Sequence, residues 1–124
     1  MQFSSRQFAE VLVAAPGGRI DHAAAGALEQ ALAPLLAQAE SRKAGVILDF
    51  SDVEYISSVG LRVLMVAAKQ MRGCGARIVV AAPRPVVAEI FAISRFDRVL
   101  DIVPSVRGAL GHLSAPALAA YDAG

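Results

Sequence analysis

The stretch VILDFSDVEYISSVGLRVL, Val46 to Leu64, decides how the chain folds. Taken with the two residues before it, AGVILDF is a short apolar run with β-branched members, bounded by Gly45 and a polar turn. That is the pattern of a strand buried on both faces. From about Val59 to Met71 the spacing changes to that of a helix: Leu61, Leu64, Met65, Ala68 and Met71 share one side, and Arg62, Lys69 and Arg72 lie on or near the other. Two hydroxyls, Ser57 and Ser58, and a glycine, Gly60, stand where strand gives way to helix. They have three conceivable uses: to cap the helix, to attack a substrate, or to accept a phosphate.

The same alternation continues outward in both directions. FAEVLVAAP, Phe8 to Pro16, reads as a strand, pairing with the short MQFSSR before it, and Gly17–Gly18 predicts a turn. Asp21 is placed to N-cap a helix over HAAAGALEQALAPLLAQAE. In that segment Leu28, Ala31 or Leu32, Leu35 and Ala39 recur at helical spacing, and Pro34 is expected to kink or restart it. ARIVVAA predicts a second buried strand, and PRPVVAEIFAIS a helix with proline near its first turn. RVLDIV predicts a last short strand and SVRGALGHL a helix, with an Ala-rich frayed tail from Ser114 onward. Strands alternating with helices at this rhythm predict one α/β domain with a mostly parallel sheet, over residues 1–113, followed by the tail 114–124.

At 124 residues, with 56% hydrophobic and 19% charged side chains, the chain is long enough to bury one core and is not expected to be disordered. No apolar run approaches the roughly 20 residues of a membrane span, and the start of the chain does not read as a signal peptide. The single cysteine, Cys74 in RGCGAR, excludes an internal disulfide, fits a reducing cytoplasm, and reads as a small turn residue. Net charge is +1, which argues against a dedicated nucleic-acid binder. Residues 1–61 carry four basic and seven acidic side chains (−3), whereas residues 62–124 carry eight and four (+4). A basic face on the second half can therefore meet an acidic partner.

Catalytic constellations are missing. A nucleophile elbow needs Gly-x-Ser-x-Gly, and Ile56 stands where the glycine before Ser58 should be. The two histidines read as a surface residue in a first helical turn (His22) and a solvated one near the tail (His112), not as a base for serine. One cysteine and two distant histidines offer no metal-ligand spacing. No phosphate-cradling glycine loop follows a strand, so no nucleotide cofactor is expected. Arg62, Lys69 and Arg72 lack interleaved aromatics and read as a solvated helix face rather than a nucleic-acid surface.

Capping is the plain reading of the serine pair, since a serine oxygen satisfies one orphan N–H at about 1 kcal/mol. Neither serine has Glu or Gln three residues later, so the sequence does not say which one caps. Gly60 is not explained by capping. Glycine in a helix costs about 1 kcal/mol relative to alanine. Such a cost is tolerated when something approaches the backbone closely, the sheet below or a partner above.

VILDFSDVEYISSVGLRVL also resembles the central signature of the STAS domain, shared by anti-sigma factor antagonists and the cytoplasmic ends of sulphate transporters. GRID before the first helix and GARIVVAAPRPVVAEIFAISRFDRVLDIV after the second agree with it, so the resemblance runs from about residue 8 to residue 110. It implies a STAS-type α/β fold and a non-enzymatic anti-sigma factor antagonist. The family's phosphorylated serine, two residues before the glycine, falls on Ser58. Ser57 occupies a position often held by Asp and is the less favoured acceptor. Asp21 matches the aspartate ahead of the first helix near the partner-binding face, and Asp49 the one ending the central strand. The implied docking residues are Asp21, Ser57, Ser58, Gly60, Arg62 and Lys69.

The implied partners are a serine kinase of the histidine-kinase ATPase type that doubles as the anti-sigma factor, and a metal-dependent serine phosphatase that resets the switch. No cofactor, nucleic acid or membrane insertion is implied, and the setting is cytoplasmic. The alternative within the family is an accessory subunit of a lipid-transport ABC complex, which docks by its helix face without phosphorylation.

Overall fold

The computed structural model describes residues 1–124. Six strands and five helices follow in the order β1 (Gln2–Phe8), β2 (Val11–Ile20), α1 (His22–Arg42), β3 (Val46–Asp49), β4 (Val53–Ile56), α2 (Ser58–Gly73), β5 (Ile78–Ala81), α3 (Pro85–Ile93), β6 (Asp101–Val103), α4 (Val106–Leu113) and α5 (Ala115–Ala123). The sheet runs β1-β2-β3-β5-β6, antiparallel at β1 and parallel elsewhere. The mostly parallel α/β sheet expected from the sequence is what forms.

Period-2 alternation sorts the strand residues onto two faces. Leu12, Ala14, Val46, Leu48, Ile78 and Val80 point into the larger core, with the inward sides of α1, α2 and α3. Val11, Val13, Ile47, Val79 and Ala81 point the other way, under Ala109 and Leu110 of α4 and Ala117 of α5. Both faces are covered, which is why β3 and β5 read as unbroken apolar runs.

Three expectations need correcting. Gly17–Gly18 does not turn the chain: both lie within β2, which continues to Ile20. β2 pairs with β3 as far as Ala14 and with β4 from Gly18 to Ile20, and Gly18, at φ 84°, stands at a register irregularity within that second pairing. A positive φ is inexpensive only for glycine, so this residue accommodates the shift in register against β4. Second, α1 passes through Pro34 without restarting, because Pro34 sits on the exposed side, where water can solvate the carbonyl it leaves unbonded. Third, residues from Ser114 onward are not a frayed tail. Ser114 Oγ accepts from Ala117 N–H to cap α5, Ala117 is fully buried, and Tyr121 packs edge-on against Phe8 at 5.3 Å between ring centroids. A two-pronged Arg107–Asp122 ion pair ties α5 to α4 and raises the Arg107 pKa. The Ser114 hydroxyl, beside Glu10, lowers that carboxyl's pKa.

Candidate functional site

β4 was not separable in the sequence from the turn before it, and it builds the site. It lies parallel to the far end of β2, with Arg19 opposite Tyr55 and Ile20 opposite Ile56. Arg19 places its guanidinium 4.6 Å from the Tyr55 ring centroid across that pair. The ladder ends when Ser57 N–H donates to Ile20 carbonyl at 2.8 Å. The next residue after Ile20 is Asp21, the N-cap of α1, whose Oδ1 accepts from Ala24 N–H at 2.9 Å. Two helices therefore start side by side at the carboxyl end of the parallel strands, the usual place for function in such sheets.

The question of which serine caps has a structural answer. Ser57 has extended backbone, is half-buried, and its Oγ accepts from Gly60 N–H at 3.2 Å. Ser58 is the first residue of α2 and is exposed. The division of labour sets two expected outcomes. Ser57→Ala should lower stability by about 1 kcal/mol in chemical denaturation, whereas Ser58→Ala should fall within about 0.5 kcal/mol of the parent.

Gly60 is buried, and the close approach is that of the sheet below. A Cβ there would stand 2.8 Å from Ile56 Cγ1 and 2.9 Å from Ile20 Cγ2. Its service is thus structural, by letting α2 begin flat against β2 and β4. Arg62 and Lys69 are exposed and stand outside both ion pairs of the structure, Arg77–Asp101 and Arg107–Asp122. Between them the sequence reading passed over Val66, which is 53% exposed. Its signal was there: Ser58, Arg62 and Val66 are successive i, i+4 positions and share one face. That face of α2 carries a hydroxyl, a cation, an apolar side chain and a second cation.

Other residues frame this end of the sheet. Asp49 Oδ1 accepts from Ser51 N–H at 3.0 Å and from Ser51 Oγ–H at 2.7 Å, closing the turn after β3. Arg84 Nε–H donates to Ser51 carbonyl at 2.8 Å, fixing that turn to the start of α3. Cys74 is the C-cap of α2 and its thiol donates to Met71 carbonyl. His112 contacts Arg77 just before β5, at the opposite end of the sheet from Ser58. No group of three or more His, Cys, Asp or Glu is arranged to hold a metal, and no helix is long and apolar enough to cross a membrane.

A small α/β body of this topology, with two helices starting side by side at the carboxyl end of its parallel strands, has the architecture of a STAS domain. The family described as "Mlab, STAS domain" matches residues 4–104, and the chain belongs to the STAS domain family. It is 37% identical over 95 residues to a Bordetella bronchiseptica protein assigned as the anti-sigma factor antagonist BtrV, covering 77% of this chain and 79% of the relative. Among solved structures, an anti-sigma factor antagonist from Mycobacterium paratuberculosis superposes with a TM-score of 0.80 at 25% identity, covering 90% of this chain and 92% of that one. The unphosphorylated form of SpoIIAA, a Bacillus cell fate determinant, gives 0.72 at 16% identity over 90% and 95%, and its phosphorylated form 0.65 at 16% over 90% and 98%. These last two show a shared fold.

Proposed function

We propose that the chain is an anti-sigma factor antagonist in a cytoplasmic partner-switching pathway. Unphosphorylated, it docks on a serine kinase that is also the anti-sigma factor, through Asp21, Ser57, Ser58 and the Arg62–Val66–Lys69 face of α2. The kinase moves the γ-phosphoryl group of ATP to Ser58 Oγ, whose proton leaves to a base of the kinase, and ADP departs. A metal-dependent phosphatase returns the serine by hydrolysis, releasing inorganic phosphate. This chain itself is the substrate of both steps and catalyses neither.

The observation that carries this reading is the exposed Ser58 hydroxyl at the first position of α2, next to a serine already committed to the cap. A phosphate there adds about −1.5 to −2 charges at neutral pH. Free N–H groups and the positive end of the helix dipole favour an anion at that place, so the fold tolerates it. The docked interface does not, since a desolvated dianion facing acidic partner groups costs affinity. A penalty of 1.4 kcal/mol is already tenfold.

Incubation with the cognate kinase and ATP, followed by mass spectrometry, should place one phosphate on Ser58 and none on Ser57. Ser58→Asp should weaken kinase binding at least tenfold in calorimetry, and Ser58→Ala should bind constitutively. Unmodified serines together with parental binding by Ser58→Asp would sink the proposal. Val66, apolar in the middle of the docking face, also suits a lasting assembly. Co-purification with an ABC-type ATPase, with Ser58 unmodified, would therefore favour the accessory-subunit reading.

A further inference from the structure

We infer that Arg62 is the internal counter-ion of a phosphate on Ser58, so that modification adds a dianion and also withdraws a cation from the docking face. The inference rests on Ser58 being the acceptor. Arg62 has four near neighbours along its own helix, at i±3 and i±4, and these are Val59, Met65, Ser58 and Val66. None is charged, and the first turn of α2 contains no acidic residue. An arginine amid uncharged neighbours, exposed and outside both ion pairs, acquires an anion on its own helix only when Ser58 carries one.

The geometry favours that pair. Side chains at i and i+4 have Cβ atoms about 5–6 Å apart, and an acid N-terminal to a base is the better order. A guanidinium offers two parallel N–H groups to two phosphate oxygens, which an ammonium does not. The other cations are less well placed. Lys69 lies eleven residues on, about 16 Å along the axis, and Arg19 is stacked over Tyr55 on the neighbouring strand. His22 is exposed in the first turn of α1, and Asp21, the nearby carboxylate at that helix start, repels the phosphate. Unmodified, Arg62 is available beside Val66 and Lys69 for an acidic group of the partner. Modified, it is held by the phosphate.

The test places phosphoserine at position 58 of the full chain by genetic encoding, so that no kinase is needed, and titrates the phosphate by phosphorus NMR. Its second ionisation, near pH 6 in a free phosphoserine, should rise by about 0.3 pH units in Arg62→Gln relative to the parent. Arg62→Lys should fall between the two, Arg19→Gln should match the parent, and high salt should shrink the difference between the parent and Arg62→Gln. Equal values in the parent and Arg62→Gln, or a shift confined to Arg19→Gln, would overturn the inference. Because this readout involves no partner, a kinase that ignores Ser58 would defeat the functional reading while leaving the pairing intact. Normal switching with an unmoved phosphate titration would do the reverse.

Discussion

Gly60→Val is expected to destabilise the protein by about 3 kcal/mol, and Gly60→Ala by about 1 kcal/mol. Two effects oppose each other at this residue. Alanine improves on glycine's helix propensity by about 1 kcal/mol, and valine by less. Against that, even a single added methyl lands 2.8 Å from Ile56 Cγ1 and 2.9 Å from Ile20 Cγ2. Those atoms are not flexible ends. Ile20 and Ile56 are 0% and 1% exposed, and their strands are locked to each other by the β2–β4 ladder. Overpacking of this kind costs about 1–3 kcal/mol, so for alanine the clash narrowly wins. Valine adds two more carbons to the same gap and gives back part of alanine's gain in propensity, so the clash wins clearly. Guanidinium denaturation followed by circular dichroism measures both. A Gly60→Ala variant more stable than the parent would mean that α2 does not rest on β2 and β4 as described. Since the same contact sets where Ser57 and Ser58 emerge, the proposed phosphorylation of Ser58 should also slow in Gly60→Val.

The sequence disclosed the helices and the buried strands because each carries a strong period: Val46 to Leu48 and Ile78 to Ala81 are unbroken apolar runs, and α2 has a clean apolar side. β4 was hidden because its four residues, Val53 to Ile56, have the burial of an ordinary turn exit, with Glu54 exposed and Tyr55 half-buried. What makes them a strand is the far end of β2, which no longer pairs with β3 after Ala14, and that is a long-range event. The glycine pair looked like a turn for the same reason. The end of the chain was misread because alanine carries little amphipathic signal. Ser114 and Pro116 are nevertheless a serviceable N-cap and first-turn pair. At the site, the spacing around Ser57 and Ser58 was legible, but the choice of cap was not. It depended on Ser57 being pinned through its N–H to Ile20, which turns its hydroxyl toward Gly60 and leaves Ser58 facing out. Val66 went unnoticed because an isolated exposed valine is ordinary until its two neighbours on the face are known to be unpaired cations.

Leu110→Ala is expected to cost about 3 kcal/mol and to lower the melting temperature by about 10 °C. Leu110 has no exposed surface, and it packs in the smaller core with Val11, Val13, Ile47 and Val79 from the sheet face opposite α1 and α2. That core has eight buried residues, so it has few partners with which to close the gap left by three missing carbons. Large-to-small substitutions cost most where the surroundings collapse least. The effect should reach the site, because Val11 and Val13 begin the strand that ends at Ile20, whose carbonyl holds Ser57. Hydrogen exchange at Ser57 N–H should therefore quicken in Leu110→Ala along with the loss of global stability. Val66→Ala serves as the control: it also removes apolar carbons from a helix, but from an exposed position, and stability should stay within about 0.5 kcal/mol of the parent. Equal small effects at Leu110 and Val66 would show that α4 does not seal the second face of the sheet. That face would then be open to docking, and the proposed partner surface would no longer be confined to the end where α1 and α2 begin.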